Sequence, residues 1–424
     1  MIETSGNSGT PRLRRILLVS YWYPPAVGAA AERLHSFAQF LPDHGWDVQM
    51  LTAKRTPSPP GLPGVTVHQV RDPYGDSRHA FTDYDPRLRP ARWKSILREF
   101  VFPDRFIRWQ RAAYRIAVDM ASARRFDVIF ASFPPASVVQ LAQRLHRETR
   151  IPLVLDFRDR WLGPGGHEPR RRKTLKAHQK LEREAVADAT AMITVSDAMA
   201  DAMADEQNFD RNKILVLPNG YDPDISPGAH GSGQNSGLSD RRTITIAHVG
   251  TVIPRNRPDL FFKSMIALKD DPRLQNVVFK FVGNLSPGYL KDAGLAPLIT
   301  TTGLVPREQA RLEMRSADAL LLLTGAYVGR WGHNAKLFEY LQSARPILCL
   351  EETPGSNDCR LLERFAPNHA FFARVDDAGA VADRIDQIKA CLTARAGRAF
   401  AVNEAFRTYS RANLTARLAD YLPT

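Results

Sequence analysis

The feature that most constrains the fold is an alternation that runs through the chain twice: short apolar runs of strand length give way to longer stretches with helical spacing. Arg15-Ile-Leu-Leu-Val-Ser20 ends at the turn Tyr23-Pro24-Pro25. Such a continuous run suits a parallel strand buried on both faces. Leu34, Phe37, Ala38 and Leu41 then recur at helical spacing from residue 29, and Gly45 stops the helix before a second strand over 47–52. Further strands are predicted at 65–70, 128–131, 153–157, 191–195 and 214–217, with a helix over 136–146. Residues 226–242 are rich in Gly and Ser and almost devoid of apolar side chains, the composition of a linker.

Beyond the linker the alternation restarts. Strands are predicted at 244–249, 277–282, 319–323 and 346–350, and helices at 259–268, 307–314, 335–343 and 381–392. A closing helix is expected over 397–422. Strands alternating with helices imply parallel sheets covered on both faces. The expected α/β architecture is therefore two Rossmann-like, doubly wound domains facing across a cleft. Their predicted bounds are 1–225 and 243–396, with residues 397–424 returning toward the first domain. A ligand would lie where the carboxyl ends of both sets of strands face a shared crevice.

The chain has 424 residues, and about 150 residues per domain gives two or three domains. No apolar run approaches the roughly 20 residues needed to cross a bilayer. Arg12, Arg14 and Arg15 precede only a short apolar stretch without a small-residue cleavage site, so no secretory signal is expected. Cys349, Cys359 and Cys391 are odd in number and lack metal-ligand spacing. Reduced thiols and a cytoplasmic location are the expectation.

The net charge of +13 is uneven, with +9 carried by residues 1–220. Nine basic residues between Arg87 and Arg115 face only Glu99 and Asp104, and Trp93, Phe100, Phe102, Phe106, Trp109 and Tyr114 are interleaved with them. Such a segment can dock on anionic lipid, which would hold the protein at an inner membrane face, or on a nucleic-acid backbone. It can equally be a solvated helix face whose aromatics pack inward.

Several site types are missing. Gly28 stands alone after the first strand, without the Gly-x-Gly-x-x-Gly of a dinucleotide site. There is no P-loop, no Gly-x-Ser-x-Gly elbow, and the histidines lack metal spacing. No metal and no cofactor are expected. The most informative segment is Trp331-Gly-His-Asn-Ala-Lys-Leu-Phe-Glu339, where a loop containing Gly329 and Gly332 runs into a helix. Backbone N–H groups at such a helix start suit a diphosphate. Lys336 would add a point charge and Glu339, on the same face, could accept from both ribose hydroxyls. Taken alone, the pair is as readily a surface ion pair.

Lys336-Leu-Phe-Glu339-Tyr-Leu followed by Arg345-Pro-Ile-Leu resembles the donor-binding signature of the family 4 glycosyltransferases (group 1), retaining enzymes of the GT-B fold. Tyr23-Pro-Pro-Ala-Val-Gly28 through Glu32-Arg33, and Gly45-Trp-Asp-Val48, resemble the family's first loop, helix and second strand. Asp156-Phe-Arg158-Asp159-Arg-Trp161, Val216-Leu-Pro-Asn219-Gly220, His248-Val-Gly250-Thr, Phe281-Val-Gly283 and Gly303-Leu-Val-Pro follow in the family's order. The sequence departs at Trp331, where the first of two signature glutamates, expected beside the donor sugar, would stand.

The resemblance implies transfer of a sugar from a nucleoside-diphosphate donor to an acceptor hydroxyl, with retention and without metal, in surface polysaccharide, glycolipid or glycosylated natural-product synthesis. Lys336, Arg255 and Asp159 are the implied catalytic groups. Glu339, Arg257, Gly250, Gly332, His333 and Asn334 are the implied donor site. Gly28 and Arg158 form an acceptor or phosphate loop, and Asp156 is structural. The implied partners are the nucleotide sugar and a sugar, lipid-linked or small-molecule acceptor, with no nucleic acid expected. A sugar-nucleotide epimerase can share the fold, and a non-catalytic basic binding protein remains the second alternative.

Overall fold

The computed structural model describes residues 13–26, 28–59, 61–73, 101–163, 169, 171–222, 243–290, 293–394, 400 and 402–423. The expected linker and the first part of the basic segment lie outside them.

The first sheet is built from β1 (Arg14–Val19), β2 (Trp46–Ala53), β3 (Val65–Val70), β4 (Val128–Phe133), β5 (Leu153–Phe157), β6 (Ala191–Thr194) and β7 (Ile214–Val216). Among the described residues, α1 (Ala29–Phe40), α2 (Ile107–Ala123), α3 (Ala136–Thr149), α4 (Arg172–Asp188) and α5 (Asp197–Gln207) pack on it. The strand order is β3-β2-β1-β4-β5-β6-β7, every pair parallel. Ile16 to Val19, all of β4 and all of β5 are buried, so apolar side chains fill both faces.

The second sheet runs β10-β9-β8-β11-β12-β13. Its strands are β8 (Ile244–Val249), β9 (Val277–Val282), β10 (Ile299–Gly303), β11 (Ala319–Thr324), β12 (Ile347–Glu351) and β13 (Ala370–Arg374), again paired in parallel. The helices are α6 (Pro258–Ala267), α7 (Arg307–Ser316), α8 (Ala326–Trp331), α9 (Ala335–Ser343), α10 (Asn357–Phe365) and α11 (Ala378–Ala394). Phe261, Phe279 and Phe281 form the aromatic centre of this core. Fully burying a side chain of this size stabilises by about 1.5–3 kcal/mol.

Both strand orders reverse once, between β1 and β4 and between β8 and β11. Those switch points open the crevices in which α/β proteins bind ligands. Two sequence expectations need correction. The closing helix does not fill 397–422: α12 spans only Arg411–Tyr421, after a 3-10 turn over Glu404–Tyr409. Ser410 sets its start by accepting from the Asn413 N–H. Leu414, Leu418 and Leu422 pack with Leu34, Phe37 and Leu41, so this last helix joins the core of the first domain. The stretch expected as a loop before α9 is largely helical, since α8 includes Gly329.

Candidate active site

The loops after β1, β5, β8 and β11 carry most of the groups singled out by sequence. At the end of β8, Gly250 has a φ of 122°, a region that L side chains rarely adopt. A Cβ there would stand 3.3 Å from the Lys336 Nζ. The missing side chain leaves room for Lys336, in the first turn of α9, to lie over the strand end. Lys336 and Glu339 form no ion pair among the described residues. The Lys336 Nζ instead lies 2.8 Å from the His248 Nε2. His248 is buried in β8, with Nδ1 3.1 Å from the Leu321 carbonyl. That acceptor puts the ring proton on Nδ1 and leaves Nε2 to accept from Lys336. Burial, then the lysine charge, hold His248 neutral by driving its pKa well below the usual value. Burial also lowers Lys336 to about 7, against the opposing pull of Glu339 and Asp358.

The loop entering α9 is organised by Asp358, which has no exposed surface. Its carboxylate accepts from the Thr324 hydroxyl at 2.9 Å, the Asn334 side chain at 2.6 Å and the Asn334 backbone N–H at 3.1 Å. The His333 Nδ1 lies 3.3 Å from the same carboxylate. Asn334 also accepts from Asn256 at 2.9 Å. Asn334 is therefore a buried brace for the loop. Gly332 ends α8 in extended backbone facing Val195 of the first domain.

Arg255 lies in a 3-10 turn, its guanidinium 4.8 Å from the centre of the Tyr327 ring. The turn packs closely on residue 325, where any Cβ would strike the Arg255 carbonyl. The Tyr327 hydroxyl accepts from the Arg160 N–H at 3.3 Å, and burial, then Asp159, push its pKa up. Arg255, Asp159 and Tyr327 thus meet across the cleft. Arg257 pairs with Asp259 at 2.9 Å and with Glu352, carboxylates of its own domain. Its guanidinium is thus engaged by two carboxylates beside the implied donor site.

In the first domain, Gly28 caps α1 with a φ of 130°, and a Cβ there would meet no described atom within 4 Å. Arg158 donates to the Ser132 hydroxyl and the Pro134 carbonyl, both at 3.0 Å, which ties its guanidinium beneath the loop after β4. Asp156 is buried against Arg33 at 2.8 Å, the structural role expected of it. Trp331 is fastened across the cleft. Its carbonyl accepts from Ser196 at 2.8 Å, and the Arg160 and Arg330 guanidiniums each lie 4.4 Å from its ring centre.

Glu339 faces the first domain. Its carboxylate lies 3.7 Å from the Arg307 guanidinium, which also reaches Glu32 of α1 at 3.4 Å. Sequence reasoning passed over His248, Asp358, Tyr327 and Arg307. A polar residue at the carboxyl end of an otherwise apolar strand was the available signal for His248. The other three act through contacts distant in sequence.

Residues 28–220 match the profile of a family described as Glycosyl transferase 4-like domain. Sucrose-phosphate synthase from Thermosynechococcus elongatus aligns with a TM-score of 0.67 at 14% identity, over 96% of this chain and 98% of its own. The Anabaena protein Alr3699/HepE, in complex with UDP, gives 0.59 at 14% identity over 96% and 98%. The catalytic domain of starch synthase IV from Arabidopsis thaliana, bound to ADP and acarbose, gives 0.59 at 12% identity over 96% and 99%. No curated protein matches the sequence. At such identities the structural likeness establishes the fold: two facing α/β domains of the GT-B class. With the family match across the first domain, it indicates a glycosyltransferase, one that resembles family 4.

Proposed function

We propose that the protein transfers a sugar from a nucleoside-diphosphate donor to an acceptor hydroxyl, with retention and without a metal, in surface polysaccharide, glycolipid or glycosylated natural-product synthesis. The observation that carries this reading is the Lys336 ammonium, held over Gly250 by the neutral His248 at the start of α9. A diphosphate in that corner would meet the helix start, the lysine and Arg255. Charge that grows on the departing phosphate would be stabilised there, and a well-aimed donor of this kind contributes about 3–4 kcal/mol. Glu339, three residues along the same face, would accept from the ribose hydroxyls. Asp159, from the opposite domain, would position the acceptor or donor sugar. UDP and ADP in the two related structures support a nucleotide donor, while retention and metal independence rest on the family resemblance.

Arg108, Arg111 and Arg115 are exposed on one face of α2, beside exposed Val101 and Phe102, whereas Trp109 and Tyr114 are buried. The aromatics of this helix serve the core and its arginines face outward. We read that outward face as a contact for anionic membrane, bringing a lipid-linked acceptor to the cleft.

A panel of UDP, ADP, GDP and their sugars in a thermal-shift experiment tests the donor class. A ligand at a hundred times its dissociation constant stabilises by about 2.7 kcal/mol. Release of nucleoside diphosphate only when acceptor is supplied supports transfer; acceptor-independent interconversion of nucleotide sugars would support an epimerase instead.

A further inference from the structure

Two carboxylates from opposite domains converge on one guanidinium. Glu339 comes from α9 and Glu32 from the first turn of α1, with side chains 23% and 22% exposed. The Arg307 Nη2 stands 3.7 Å from the Glu339 Oε1 and 3.4 Å from the Glu32 Oε2, and its Nη1 is 3.4 Å from the Glu32 Oε1. Arg411, the first residue of α12, also donates to the Glu32 Oε2, at 2.6 Å. One turn along α7, Arg311 is paired with Glu308 at 2.7 Å and lies 3.5 Å from Asp222. On α9 itself, Lys336 is turned to His248. His35, one turn beyond Glu32, is held neutral by burial first and then by Arg411 and Arg307.

Two neighbouring carboxylates repel, which raises the pKa of one unless a cation lies between them. A carboxylate must be ionised to accept from two ribose hydroxyls at once, because its protonated form turns one oxygen into a donor. We propose that Arg307 is a positioning residue for donor binding: by bridging Glu339 to Glu32 across the cleft, it keeps Glu339 anionic and aimed at the ribose. This rests on the reading of Glu339 as the ribose acceptor. Burial, then Glu32, push the Glu339 pKa up, while Arg307, Arg411 and Arg311 pull it down. The net shift is upward, with Arg307 limiting it; an ionised Glu339 supports binding above its pKa and loses it as pH falls. Removing Arg307 therefore moves that loss to higher pH, and removing Glu32 moves it lower.

The test is calorimetric titration of UDP and ADP into the full-length protein between pH 5 and 8, beside their 2′,3′-dideoxy analogues. In the parent, the ribonucleotides should bind more tightly near neutral pH, and their advantage should fade as pH drops. Arg307→Gln should raise the midpoint of that loss by about one pH unit; Arg307→Lys should restore part of it, and Glu32→Gln should shift it the other way. Arg307 is 41% exposed, so the variants should fold. If the parent prefers ribonucleotides but the midpoint stays put in Arg307→Gln, the bridge is refuted while the ribose reading stands. If ribo and dideoxy forms bind equally at every pH, or neither nucleotide binds, the ribose reading fails and the bridge fails with it.

Discussion

Lys336 reaches the end of β8 because position 250 has no side chain, and it stays there because His248 offers a neutral nitrogen at 2.8 Å. Burial brings its pKa to about 7, so near neutrality only part of the population carries the charge. A bound diphosphate favours the charged form and raises that pKa. Binding should then take up protons between pH 7 and the raised value, and affinity should weaken as pH climbs through that range. Calorimetry at pH 8 in phosphate and in Tris, whose ionisation enthalpies differ, should show uptake approaching about one proton. Equal heats in both buffers would mean that the lysine is already charged without ligand. Lys336 and Glu339 could be picked out from their spacing and setting. Their partner Asp358 could not, because it works through contacts made only when distant strands and helices pack, and for His248 the one signal was a polar residue at the end of an apolar strand. Nor does anything local announce Glu352 as a partner of Arg257.

Elements with continuous apolar character were legible. β3, β5, β8, β9 and α9 have the bounds that their sequences imply. β10 escaped because four of its five residues are exposed, a polar edge strand with no apolar run. α10 was overlooked too, although it carries the Asp358 that shapes the loop entering α9. At α2 the sequence left two readings of one segment, and packing divides them by residue: Trp109 turns inward while Arg108, Arg111 and Arg115 turn outward. Each arginine near an anionic surface contributes about 1 kcal/mol. Replacing Arg108, Arg111 and Arg115 with Gln should thus weaken co-sedimentation with phosphatidylglycerol vesicles by about 100-fold, with activity on a soluble acceptor retained. Undiminished co-sedimentation would refute membrane docking through this face.

Two sheets with facing switch points were foreseeable from the doubled alternation, and the return of the last helix to the first core from the resemblance to the GT-B fold. What holds the halves together was not. Trp331 on Arg160 and Ser196, Tyr327 on Arg160, and Arg307 between Glu32 and Glu339 all cross the cleft where the two sheets' loops meet. The proposed donor groups lie on one side of that cleft and Asp159 on the other, so binding and transfer should separate in mutants. The sharpest test is Lys336→Ala, with donor affinity measured directly and the transfer step measured in a single turnover, because the Michaelis constant mixes the two. If the lysine steadies charge that grows on the leaving phosphate, the rate constant should fall by about 100-fold or more while donor affinity falls much less. An unchanged single-turnover rate would remove Lys336 from the chemistry and contradict the account.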